Sequence, residues 1–249
     1  MDNQDKPQPK QVYNKPENEL PITPLTLNEV KKGIKIDELE NDVRLRTIAR
    51  EFKEGFDFIE HHKMHINSVT FFGSAVLTEE NQYYKTAYDL AKRISTELGY
   101  AVATGGGPGI MEAANRGAYD AGGKSFGICI NLPDGEAKNP YITHSINLFY
   151  FFVRKVILTF AAGAYIYFPG GYGTMDEVFE ILTLVKTQKI EPVPVIFFGS
   201  EYWKGLDDFI NEYLLKTNNM VDKAATELYQ ITDSQEEVLE IIKNSKDRQ

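Results

Sequence analysis

The stretch Phe168-Pro169-Gly170-Gly171-Tyr172-Gly173-Thr174-Met175-Asp176-Glu177 ends an apolar run, turns on three glycines and opens an acidic segment with helical character. The same order of apolar run, glycine turn and helical segment recurs at Gly73-Ser74 and at Thr104-Gly105-Gly106-Gly107-Pro108-Gly109-Ile110-Met111. Apolar runs and turn residues predict strands over 68–73, 100–104, 125–130, 164–168 and 193–198, with a short one over 229–232. Helical spacing predicts helices over 82–98, stopped by Gly99, and over 110–121, 149–161, 175–187, 202–217 and 234–244. Such β-then-α alternation predicts an α/β fold, a parallel sheet covered by helices on both faces. Ligands of such sheets bind beyond the carboxyl ends of the strands, where all three glycine turns fall.

Glycines at 170, 171 and 173 are able to take positive φ and let backbone N–H groups approach a ligand. A helix starting near Thr174 aims its positive end at a phosphate, and Glu177 sits one turn further in. Two glycine cradles suggest a phosphorylated ligand held from both sides. The expected nucleotide-binding residues are Gly73, Ser74, Gly105, Gly106, Gly107, Gly109, Met111, Gly170, Gly171, Gly173 and Thr174. Taken singly, either cluster is equally well explained by the steric needs of a tight turn. Neither has the Gly-Lys-Ser/Thr ending of a P-loop or the G-x-G-x-x-G spacing of dinucleotide sites, which disfavours NTP hydrolysis and hydride transfer.

The chain has 249 residues, 42% of them hydrophobic, enough for one substantial core. A loose or disordered, proline-containing arm is expected over 1–24 and a single domain over 25–249, with an N-terminal helical extension at about 28–65. A net charge of −9 argues against a nucleic-acid partner. No apolar stretch reaches the length of a membrane span, and the polar N-terminus is unlike a signal peptide, so a cytoplasmic location without membrane contact is expected. Cys129 reads as a small buried strand residue. His61 and His65 share a helix spacing used by metal sites but lack the accompanying Glu, so no metal is expected there. His144 reads as a loop residue. The run Phe149-Tyr150-Phe151-Phe152, if helical, leaves no solvated face and predicts burial, preferably between subunits.

The segments Phe72-Gly73-Ser74-Ala75, Gly105 to Ala118, Phe151-Phe152-Val153-Arg154-Lys155 and Pro169 to Glu177 resemble the Lonely Guy family over about residues 68–200. The resemblance implies a Rossmann-like fold, at least a homodimer, and hydrolysis of nucleoside 5′-monophosphates to a free base and ribose 5-phosphate without a cofactor. It carries the family's catalytic arginine and glutamate onto Arg154 and Glu177, and its phosphate-binding residues onto Gly171, Gly173 and Thr174. The long N-terminal segment and Gly109-Ile110-Met111-Glu112 depart from the small plant members and place the chain in a longer, bacterial-type branch.

The chemistry agrees with that resemblance. Breaking an N-glycosidic bond develops positive charge on the ribose, which a carboxylate at Glu177 is suited to stabilise while orienting water. Arg154 offers a fork of donors for ribose, phosphate or departing base, although a surface salt bridge explains it equally well without the family. Lys155 and Asp176 are expected behind these two, and Glu180 reads as an acid complementing the helix dipole. Two other classes compete: a non-catalytic carrier of a nucleotide or molybdenum cofactor, and a pyridoxal-phosphate lysine decarboxylase, for which no lysine stands out. The leading expectation is a small-molecule substrate, AMP or an N6-substituted AMP of the cytokinin type.

Overall fold

The computed structural model describes residues 43–131 and 138–245. The expected arm at 1–24 and the first part of the N-terminal helical segment lie outside them. Seven parallel strands form one sheet: β1 (Ser68–Phe72), β2 (Ala101–Thr104), β3 (Ser125–Ile130), β4 (His144–Leu148), β5 (Ala164–Tyr167), β6 (Val195–Phe198) and β7 (Gln230–Thr232). Their spatial order is β4-β3-β2-β1-β5-β6-β7. The chain thus winds outward from β1 to β4, then returns to lay β5 on the other side of β1, pairing Val69 with Ala164 and Phe72 with Tyr167. That reversal opens a crevice at the carboxyl ends of β1 and β5.

The helices are α1 (Val43–His62), α2 (Gln82–Arg93), α3 (Ile110–Asp120), α4 (Phe151–Phe160), α5 (Tyr172–Lys186), α6 (Ser200–Asp208) and α7 (Gln235–Lys243). The chains of α2 and α6 run on as π-helical turns over Ile94–Leu98 and Phe209–Thr217. Alternation along the strands feeds two cores. Val69, Phe71, Ile166 and Ile196 face Leu90, Ala114 and Val238 of α2, α3 and α7. Phe72, Phe126, Tyr165, Tyr167 and Phe197 face Phe56, Ile157, Ile181 and Trp203 on the opposite side. The Rossmann-like sheet with helices on both faces is therefore present.

The first helix belongs to the second of these cores. Phe56 meets the Phe160 ring edge-on at 5.6 Å, and a Cβ on Gly55 would fall 2.5 Å from Ile157. Glu51, itself buried, accepts hydrogen bonds from the backbone N–H of Phe149 (3.0 Å) and Tyr150 (3.2 Å). Tyr150 is the N-cap of α4 and supplies no side-chain cap of its own. A carboxylate from α1 thus satisfies donors at the start of α4 and complements its dipole.

Three expectations need correction. Residues 144–148, including His144, form edge strand β4 rather than a loop; its polar side is exposed, so it lacks the apolar run that marks the inner strands. The helix after the second glycine turn starts at Tyr172, not near Thr174 or Met175. The aromatic run does not lie on one helix, because α4 starts only at Phe151 and Tyr150 is extended. Phe149, Phe151 and Phe152 are 62%, 56% and 49% exposed, while Val153, Ile157 and Leu158 face the core.

Candidate active site

Three loops meet at the crevice and are stitched together by backbone hydrogen bonds. Ser74, just after β1, donates its N–H to Pro169 O (2.9 Å), and its carbonyl accepts from Ile110 N (3.0 Å). A cavity of about 580 Å³ opens above them, lined by Phe72, Gly73, Ser74, Ala75, Val76, Gly105, Met111, Phe151, Arg154, Lys155, Leu158, Gly171, Gly173, Thr174, Asp176 and Glu177. Eleven residues expected at the site come together there: Gly73, Ser74, Gly105, Met111, Arg154, Lys155, Gly171, Gly173, Thr174, Asp176 and Glu177.

Four expected glycines are not among the lining residues. A Cβ on Gly106 would overlap the Cys129 sulfur, on Gly109 the Ser74 carbonyl and on Gly170 the Thr174 hydroxyl. Gly107 offers its carbonyl to Asn139 Nδ2 (3.0 Å). The first cluster is therefore mainly a packing loop, and only Gly105 and Met111 of it border the cavity. Nor do Gly170, Gly171 and Gly173 take positive φ; among the described residues that conformation falls on Gly106 and Gly109 within these clusters. Gly171 enters α5 with extended backbone, φ −91° and ψ −153°. Gly171 and Gly173 line the cavity and a Cβ on either would meet nothing within 4 Å, which leaves room for close approach of a ligand. Gly171 caps α5 without a side-chain acceptor, so the first-turn N–H groups of the helix point to the cavity mouth.

Arg154 is fixed by backbone carbonyls. Its Nε donates to Ile128 O at 2.8 Å and its Nη2 to Gly105 O at 3.2 Å, the first within β3 and the second just past β2. These two carbonyls brace the guanidinium at the border of the cavity. Gly105 is required by this brace, since a Cβ there would overlap Nη2.

Glu177 projects from the second turn of α5. Its backbone carbonyl accepts from the Tyr167 hydroxyl (3.2 Å), while its carboxyl Oε2 is buried without a hydrogen-bond partner. Burial, then the charge of Glu180 and to a smaller degree Asp176, pushes its pKa up to about 7 against the opposing pull of Lys155 and Arg154. Lys155 Nζ lies 2.9 Å from Asp176 Oδ2 and 3.0 Å from Glu180 Oε2. Burial lowers the lysine pKa, but the two flanking carboxylates outweigh it and leave the ammonium above its ordinary range.

The part of Glu180 escaped sequence reasoning, although its i+3 spacing from Glu177 places it on the same helix face. So did a buried scaffold under the first glycine loop. Thr104 Oγ1 donates to Asn115 Oδ1 (2.6 Å) and accepts from Gly106 N (2.9 Å), and Asn139 Nδ2 also reaches Asn115 Oδ1 (2.9 Å). Tyr202 braces the second loop by donating to Gly170 O at 2.5 Å. Cys129 is buried in β3 as expected. His144 stands away from the cavity, its ring 4.7 Å from that of His62. Among the described residues no group of three or more His, Cys, Asp or Glu side chains is arranged to hold a metal ion, and no helix is long and apolar enough to cross a membrane.

Residues 111–242, more than half of the chain, match the sequence profile of a family described as "Possible lysine decarboxylase". A "Probable cytokinin riboside 5′-monophosphate phosphoribohydrolase" of Arabidopsis thaliana is 29% identical over 110 residues, 41% of this chain and 51% of the relative. The match thus spans about half of that relative's own length. A "Cytokinin riboside 5′-monophosphate phosphoribohydrolase" of Rhodococcoides fascians is 27% identical over 148 residues, 57% of this chain and 73% of the relative. Among solved structures, a molybdenum cofactor binding protein from Rippkaea orientalis is 25% identical with a TM-score of 0.51, covering 71% of this chain and 93% of its own. The molybdenum cofactor carrier protein from Chlamydomonas reinhardtii shares the fold at 19% identity and a TM-score of 0.54, over 72% of this chain and 96% of its own.

Proposed function

We propose, from the premise that this chain belongs to the Lonely Guy family, described as "Possible lysine decarboxylase", that it hydrolyses the N-glycosidic bond of purine nucleoside 5′-monophosphates. The substrate class is AMP or an N6-substituted AMP, and the products are the free base and ribose 5-phosphate. One observation carries the reading: a half-buried carboxyl, Glu177, with a pKa near 7 and an orphaned oxygen, stands one turn from an uncapped helix N-terminus and lines the same cavity as a braced arginine. The phosphate would rest on the α5 N-terminus beside Gly171, Gly173 and Thr174. The apolar wall of Phe72, Val76, Met111, Phe151 and Leu158 suits a purine ring, and about 580 Å³ falls in the usual range for small-molecule sites, roughly 300–1,000 Å³.

In this reaction the C1′–N bond breaks and its electron pair leaves with the base. Water adds to C1′ of the oxocarbenium-like ribose, and its proton passes to the Glu177 carboxylate while the departing base gains a proton from solvent. The anionic form of Glu177 stabilises the developing positive charge. Arg154, held by Ile128 O and Gly105 O, orients ribose or base.

The family description would imply pyridoxal phosphate on a lysine. The residues do not fit that group: Lys155, the lysine lining the cavity, is bracketed by Asp176 and Glu180 and held protonated, whereas a Schiff-base lysine must lose its proton. A carrier role is favoured by the likeness to the molybdenum cofactor binding protein. Against it, a carrier of an anionic cofactor gains nothing from a carboxyl beside the phosphate site. Incubation with a panel of nucleotides decides between them. The enzyme releases base from the monophosphate but not from the nucleoside lacking phosphate; a carrier retains its nucleotide intact. Equal cleavage of nucleoside and monophosphate would remove the phosphate-site argument.

A further inference from the structure

Lys155 follows Arg154 on α4, and its ammonium reaches two carboxylates of α5. It does not pair with Glu177. Its ammonium instead sits between Asp176 and Glu180, the residues one before and three after Glu177, at 2.9 and 3.0 Å. Glu180 Oε2 and Glu177 Oε2 are both buried without a hydrogen bond, but the first has the lysine charge 3.0 Å away and the second has no salt bridge among the described residues. A lone carboxyl in that position is costly unless something holds it, since a buried polar atom left without a partner is destabilising by about 1–3 kcal/mol.

We propose that the Lys155–Asp176–Glu180 cluster is a positioning device for Glu177: by engaging the lysine on both flanks, it leaves the central carboxyl to find its partner only in the bound substrate. The inference rests on the reading of Glu177 as the reacting carboxyl. Lys155 and Glu180 touch Glu177 only through its electrostatic surroundings and are positioning residues, not catalytic ones. The charged and titratable groups around Glu177 are Glu180 and Asp176 on its own helix, Lys155 and Arg154 on α4, and Tyr167 on β5 beneath it. Within that set Lys155 and Glu180 pull in opposite directions. The lysine favours the carboxylate and Glu180 favours the acid.

Opposed pulls give a signature that a merely structural role lacks. In the full chain, Lys155→Met moves the Glu177 midpoint to higher pH and Glu180→Gln moves it to lower pH, each by roughly one unit, the scale of a single charge beside a partly buried carboxyl. The midpoint is read directly by ¹³C carboxyl NMR on protein labelled at glutamate, with Glu177→Gln identifying the signal. It is read a second time as the acidic limb of kcat/KM, which shifts the same way in each variant. Should Lys155→Met fail to fold, Glu180→Gln alone tests the device, because it keeps shape and removes only charge. Shifts in the same direction for both variants, or an unmoved midpoint in Glu180→Gln, would overturn the proposal. If the parent protein releases no base, the reaction itself fails, while the NMR midpoints still test the cluster.

Discussion

Replacing Glu177 by glutamine removes a charge that the folded protein holds at a disadvantage, so the exchange has a stability signature independent of any assay for the reaction. The carboxyl titrates near 4.5 in an ordinary setting and at about 7 here, chiefly through burial and the neighbouring Glu180. A difference of that size corresponds to about 3 kcal/mol at 1.36 kcal/mol per pH unit, an order-of-magnitude figure for a group that is mostly covered. The sign follows from proton binding. Between about 4.5 and 7 the folded protein holds a proton at Glu177 that the unfolded chain has released, so this group's contribution to stability is full below 4.5 and declines as pH rises to about 7. Glu177→Gln lacks that decline. Its stability relative to the parent should therefore rise by about 3 kcal/mol between pH 4 and pH 8, or roughly 6–12 °C in Tm for a domain of this size. Taking the variant-minus-parent difference at each pH cancels the titrating groups that do not interact with Glu177, and a fixed protein concentration removes any effect of association. Thermal or urea unfolding in steps across that range measures it. A difference that stays constant with pH, or falls, would refute the assignment of a strained, high-pKa carboxyl at this position.

Gly105→Ala should leave the backbone undisturbed, because this glycine lies outside the positive-φ region, yet it pushes the Arg154 guanidinium out of its brace. A displacement near 1 Å lowers kcat/KM by about 10²-fold, with little change in Tm. Gly171→Ala adds a methyl that meets no protein atom at the cavity lining, and should mainly raise KM for the monophosphate in steady-state kinetics. Glu51→Ala takes away the acceptor for Phe149 and Tyr150 N–H and should destabilise the protein by about 1–2 kcal/mol, with faster hydrogen exchange at those two amides. The half-exposed Phe149, Phe151 and Phe152 propose a contact with a second copy of the chain; sedimentation at micromolar concentration should give a dimer or larger, and a Phe151→Asp, Phe152→Asp double variant a smaller species.

The inner sheet was legible because β1, β2, β3, β5 and β6 are buried on both faces and read as apolar runs. Where a turn follows β1, β2 and β5, glycine supplies the punctuation. β4 was hidden by its place at the sheet edge, where exposed His144, Ser145 and Asn147 interrupt the apolar pattern. The cavity residues from three loops were named by their glycines and motif charges, since those types have few other uses at strand ends. Which glycines face the ligand was not legible. Gly106 and Gly109 yield to a sulfur and a carbonyl brought near only by the fold, and the carbonyls that brace Arg154 come from positions 26 and 49 residues away. Glu180 carried a signal in its spacing, but an acid near a helix start has an ordinary explanation that the sequence alone does not displace.

The account stands most directly on base release by the parent protein and by Glu177→Gln, measured on the same monophosphate alongside nucleotide binding by calorimetry. The variant should bind AMP with nearly the parent's Kd while its kcat falls by about 10²–10⁴-fold, the usual worth of a positioned acid–base group. A variant that releases base at close to the parent's rate would contradict it and move the reacting carboxyl elsewhere.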